Sequence, residues 1–107
     1  MAFTNPKVDV VEEKSGLFKV AVELPGIEKR DIKIDLEANI LSIKAKSRLC
    51  YDEETIFIQE CNKYHFYRQI TLPIHPEPST CSTSFEIGRL NITIKPTSTK
   101  AVPIHIL

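Results

Sequence analysis

Residues Leu17 to Lys46, LFKVAVELPGIEKRDIKIDLEANILSIKAK, repeat a period-two pattern three times with turn residues between the repeats. In the first repeat Phe18, Val20, Val22 and Leu24 share one face, with Leu17, Lys19, Ala21 and Glu23 on the other, as an extended strand requires. Pro25-Gly26 then predicts a tight turn, since proline presets φ at the first corner and glycine accepts positive φ at the second. The second repeat alternates strictly. Ile32, Ile34 and Leu36 oppose Asp31, Lys33, Asp35 and Glu37, so a slip of one residue would expose every apolar side chain. Asn39 is the expected left-handed residue of the next turn. Beyond it Leu41, Ile43 and Ala45 oppose Ser42, Lys44 and Lys46. The three strands read as one unit with a wet and a dry surface, which needs a second layer to cover it.

The remaining segments supply that layer. In Pro6-Lys7-Val8-Asp9-Val10-Val11-Glu12, Val8 and Val10 alternate with charge behind a proline that cannot donate to a ladder, so Pro6 to Glu12 reads as a short edge strand. Residues 1 to 5 are too few to form an element, and Glu13 to Gly16 turn the chain. Ser47 to Glu54 has mixed charge and no period, so it reads as an exposed loop. It runs into Thr55-Ile56-Phe57-Ile58-Gln59, an apolar β-type run that makes a candidate interface strand if it pairs with something. From Tyr64 to Leu72 the alternation resumes, with Phe66, Ile70 and Leu72 on one face. Arg68 falls on that apolar face. There its guanidinium needs a carboxylate or carbonyls, because an unpaired buried charge costs on the order of 3 to 5 kcal/mol; the competing reading is a snorkelling surface arginine. LPIHPEP, from Leu72 to Pro78, is a stiff connector that also matches a polyproline ligand pattern. Cys81, Thr83 and Phe85 alternate, Gly88 turns, and Leu90, Ile92 and Ile94 complete a strand that Pro96 ends. The tail Thr97-Ser98-Thr99-Lys100 is a tether by composition, yet it leads into Val102-Pro103-Ile104-His105-Ile106-Leu107. Thr97 to Pro103 spans roughly 23 Å when extended, enough to carry Ile104 and Ile106 to a neighbouring subunit; docking on the home sheet is the alternative.

Seven or eight short strands without helical periodicity predict an all-β fold, an antiparallel, immunoglobulin-like β-sandwich. At 107 residues the chain supports one domain. Lys and Arg number 14, as do Asp and Glu, so the single-sign field of a phosphate-tracking or lipid-binding protein is missing and neither nucleic acid nor a membrane is an expected partner. Cys50, Cys61 and Cys81 are an odd set with no close pair, which fits a reducing, cytoplasmic site better than a disulfide framework. No targeting segment is evident at the N-terminus.

Sharper chemical readings fare poorly. His75 and Cys81 fit no common metal template. Cys50 and Cys61 flank the candidate interface strand, so a redox-controlled dimer is conceivable, although an inert thiol is the usual outcome. Asn91-Ile92-Thr93 matches a glycosylation sequon but lies within a predicted strand. With no phosphate loop and no nucleophile paired to a base, the expectation is a protein that is not an enzyme and needs no cofactor.

VELPGIEKRDIKIDLEANILSIKAK, YHFYRQITLP, IGRLNITIKP and the terminal Ile104-His105-Ile106, in that order, resemble the α-crystallin domain of small heat shock proteins. The resemblance runs from about Pro6 to Leu107. It places the domain at residues 6–96, after a short remnant at 1–5 and before a C-terminal extension at 97–107 with an I-x-I motif. It implies an ATP-independent holdase that binds non-native client proteins. It further implies a homodimer, with higher oligomers built on it, in which Ile56, Phe57 and Ile58 pair with a partner's Val8 and Val10, supported by Arg68. Ile104 and Ile106 would enter a groove lined by Ile32, Ile34, Cys81, Thr83 and Phe85. Two buried isoleucines at about 1.5 to 3 kcal/mol each, before ordering costs, make a weak and reversible link. The family carries an N-terminal arm of tens of residues, so the chain reads as a trimmed or an armless member. Ile87-Gly88-Arg89 replaces the usual Asn-Gly-Val, Thr83 stands for alanine, Cys61 for a common arginine, and Arg30 for a frequent acid. A short N-terminus favours a second reading, an adaptor or co-chaperone domain that binds one defined partner; the I-x-I motif favours the chaperone.

Overall fold

The computed structural model describes residues 3–47, 54–58, 60 and 65–97. Among the described residues there are eight strands: β1 Phe3–Thr4, β2 Val8–Glu12, β3 Phe18–Glu23, β4 Ile32–Glu37, β5 Ile40–Lys46, β6 His65–Thr71, β7 Ser82–Glu86 and β8 Arg89–Ile94. They form two four-stranded sheets, ordered β1-β6-β5-β4 and β2-β3-β8-β7. Neighbours are antiparallel except β1 and β6, which run parallel over Phe3↔His65 and Thr4↔Phe66.

The alternation sorts each strand into the sandwich. Phe18, Val20 and Val22 from β3, Leu41, Ile43 and Ala45 from β5, and Leu90, Ile92 and Ile94 from β8 are all buried. These central strands pack on both flanks. Ile32, Ile34 and Leu36 face the same core but stay half-buried, because β4 lies at a sheet edge with nothing beyond it among the described residues.

The opening stretch does not form one sheet. β3 pairs with β2 and β8, whereas β4 and β5 pair with each other in the opposite sheet, so the three repeats supply both layers rather than one. The chain crosses between layers at Leu24 to Asp31. Gly26 takes φ +74° and the Ile27 N–H donates to the Leu24 carbonyl at 3.3 Å, the expected Pro-Gly turn. Leu24 and Ile27 are buried at the crossing, which anchors it with apolar surface at both ends of the turn.

Two further expectations change. At the β4–β5 turn the positive φ belongs to Ala38 (54°), not Asn39. Asn39 is held otherwise: its Nδ2 donates to the Leu72 carbonyl at 3.0 Å, and its own carbonyl accepts from the Leu72 N–H at 2.7 Å. A residue clamped on both sides to the end of β6 gains more from those bonds than from a left-handed backbone. The N-terminus also contributes an element, since Phe3–Thr4 adds to the exposed edge of β6. Two residues are too short to display a period, but an unpaired edge accepts even a short strand.

At the β7–β8 hairpin both corner residues, Ile87 (φ 50°) and Gly88 (φ 71°), are left-handed, as a two-residue type I′ turn requires. Glycine takes this freely, whereas a β-branched residue there is strained.

Candidate functional site

The two sheets meet along two margins, and most of the residues singled out in the sequence divide between them. Where β4 and β7 end their sheets, Ile32 and Ile34 lie in register with Ala45 and Ile43, and Thr83 and Phe85 with Ile92 and Leu90. All four therefore point toward the core. Ile32, Ile34 and Phe85 pack against it and stay half-buried, while Thr83 faces inward yet is exposed, since no described residue lies over it. Cys81 enters the same margin just before β7. It is half-buried, its thiol lies 3.8 Å from the Glu77 carbonyl, and burial pushes its pKa above the usual thiol value. The five predicted groove residues thus stand along one side of the sandwich. Ile104 and Ile106, expected to fill that groove, lie outside the described residues, as do Cys50 and Cys61.

At the other margin β6 and β2 are the facing strands. Val8 is half-buried and Val10 is 39% exposed, and both project toward the core opposite Val22 and Val20. Arg68 lies on the inner face of β6, in register with Ile43 and between Phe66 and Ile70. Its guanidinium donates from Nη1 to the Pro6 carbonyl at 3.1 Å, and Pro6 is buried. Of the partners anticipated for this arginine, a backbone carbonyl of its own chain supplies one. The segment from Phe3 to Pro6 crosses from the β6 edge to the start of β2 and closes this side as a strap.

Ile56, Phe57 and Ile58, the expected interface strand, belong to no strand here and are 47%, 92% and 80% exposed. Three consecutive large apolar residues left this open to water form an exposed apolar run. Sequence reasoning missed the strap; a short Phe-Thr pair ahead of Pro6 is its one local signal, and it gains meaning only once β6 has an edge to fill.

Among the described residues no group of three or more His, Cys, Asp and Glu side chains is placed to hold a metal ion, and no helix is long and apolar enough to cross a membrane.

Comparison with known proteins gives the same picture. The chain is 35% identical over 91 residues to small heat shock protein C2 of Rickettsia felis, covering 83% of this chain and 58% of that protein. It is 32% identical over 97 residues to the 17.4 kDa class I heat shock protein of Arabidopsis thaliana, covering 87% and 61%. The chain therefore spans less than two thirds of the length of these relatives. Among solved structures, heat shock protein 16.0 from Schizosaccharomyces pombe superposes with a TM-score of 0.77 at 25% identity, covering 97% of both chains. A small heat-shock protein from Xylella fastidiosa gives 0.75 at 28% identity, covering 99% of this chain and 97% of that one. Residues 9–106 match the pattern of a single family. On that match, and on a sandwich of two four-stranded sheets, the chain belongs to the Hsp20/alpha crystallin family.

Proposed function

We propose that the chain is an ATP-independent holdase that binds partly unfolded proteins through apolar surface and keeps them from aggregating. The observation that carries this reading is the β4–β7 margin, where Ile32, Ile34 and Phe85 face the core but remain partly open to solvent. A row of half-covered apolar residues flanked by strand edges suits extended polypeptide, because alternate side chains of a bound strand can enter it. The C-terminal Ile104 and Ile106 have that alternation, so in this reading they occupy the groove on a neighbouring subunit and give way to clients. Dimers form when Ile56, Phe57 and Ile58 of one copy add to the β2 edge of another at Val8 and Val10. The small heat-shock protein from Xylella fastidiosa has a distinct high order structure, which supports self-association here as well.

Light scattering of a heat-labile client tests the activity. Addition of the chain at near-stoichiometric ratio is expected to suppress the signal without ATP, and an unchanged signal rejects the reading. Deletion of Val102 to Leu107 tests the link between subunits. Mass in solution should fall toward the dimer, and an unaltered mass means that the tail does not join them.

A further inference from the structure

The outer face of the β1-β6-β5-β4 sheet carries a cationic cluster that the fold does not need. Lys33 on β4 stands directly opposite Lys44 on β5, and Lys46 follows two residues along the same face. Like charges in direct cross-strand register destabilise a sheet. All three lysines are exposed, and among the described residues none of them makes an ion pair, whereas nearby Arg30 is held by Glu28 at 2.7 Å. Beside them stand aromatic rings. Tyr67 lies opposite Lys44 and His65 opposite Lys46, and Phe3 packs over both, with ring centroids 6.3 and 6.1 Å away. Phe3 is still 56% exposed and Tyr67 40%.

We infer that this face binds an acidic, extended polypeptide segment of another protein, with its carboxylates on Lys33, Lys44 and Lys46 and a large apolar side chain against Phe3 and Tyr67. Periodicity supports this occupant. Same-face residues of an extended peptide repeat every ~6.6 Å, which is also the spacing from Lys44 to Lys46 along β5. Asp31 and Asp35 stand on either side of Lys33 along the same face, so the positive patch is only as wide as the three lysines; that suits a few spaced carboxylates better than the continuous phosphate backbone of a nucleic acid. The inference is separate from holdase activity and is read without an aggregating client.

The test is fluorescence anisotropy on the full chain, using a dye-labelled decapeptide with glutamate at alternate positions and one phenylalanine. It should bind, weaken as salt rises from about 50 to about 200 mM, and lose about fivefold in affinity with Lys33→Gln/Lys44→Gln. Lys14→Gln, on a distant turn, should leave affinity unchanged. The double variant should melt no lower than the parent, since it removes a like-charge pair. Lys33→Glu/Lys44→Glu should shift preference to the corresponding lysine peptide. Equal binding of a glutamine version of the peptide, unchanged affinity in the double variant, or stronger binding of a single-stranded oligonucleotide would overturn the inference.

Discussion

Where β6 and β2 face one another, the chain covers itself: Phe3–Thr4 pairs with the β6 edge, the segment to Pro6 lies across the opening, and Arg68 fastens it through the Pro6 carbonyl. Where β4 and β7 end theirs, nothing described lies across, and Ile32, Ile34 and Phe85 stay half-buried. The alternation is equally regular on both sides. The difference lies in which margin receives a backbone segment among the described residues, and it separates a covered side from one left half-open. On the closed side a charged residue occupies an apolar position because a carbonyl is supplied to it. On the open side inward-facing positions tolerate the polar Thr83 because they are not sealed.

The largest expected effect breaks the closed side. Arg68→Ala leaves the Pro6 carbonyl without its donor and frees the strap, and should cost about 2 kcal/mol in urea unfolding, as for hydrogen bonds from charged groups. Wild-type stability would mean that the strap is held by other contacts. A smaller effect, of opposite sign, sharpens the open side at the hairpin ending β7. Ile87 is a fully exposed β-branched residue at φ 50°. Ile87→Asn should relieve that strain and stabilise by about 1 kcal/mol, with slower amide exchange in β7 and β8. A loss of stability would mean that the isoleucine makes contacts that outweigh the strain.

The smallest effect lies at the far end of β2. A hydrogen bond from the Lys19 ammonium, and then its charge, hold the Glu13 carboxyl below its ordinary value of 4.5. A carboxyl lowered in the folded state adds stability above its unfolded value, and that contribution disappears as pH falls through the folded value. Lys19→Gln should therefore lower stability slightly above about pH 4.5, near neutrality included, and leave it unchanged in stronger acid, which flattens the acid limb; both groups are solvent-exposed, so the change is small.

Period-two patterning made the faces legible, and the buried positions of β3, β5 and β8 follow it residue by residue. It carries no information about partners, which is why β3 could be read as the neighbour of β4 when the Leu24 to Asp31 crossing places them in opposite sheets. Turn chemistry was readable where one residue type is demanded, as at Gly26 and Gly88. It failed at Ala38, because Asn39 is recruited by Leu72, which is distant in sequence. The residues expected to line a groove were legible as alternating strand positions, and their inward direction follows from that alternation. The strap was not, since its meaning depends on an edge built by residues more than sixty positions later.

The Leu24 amide donates to the Gly88 carbonyl at 2.7 Å, at the tip of the hairpin that carries β7. A few residues onward the same stretch of chain becomes β4. Both lips of the open cleft are thus moored to one short length of backbone, which acts as a gauge for its width. Substitutions around Pro25 are therefore expected to shift the two lips relative to one another without touching either.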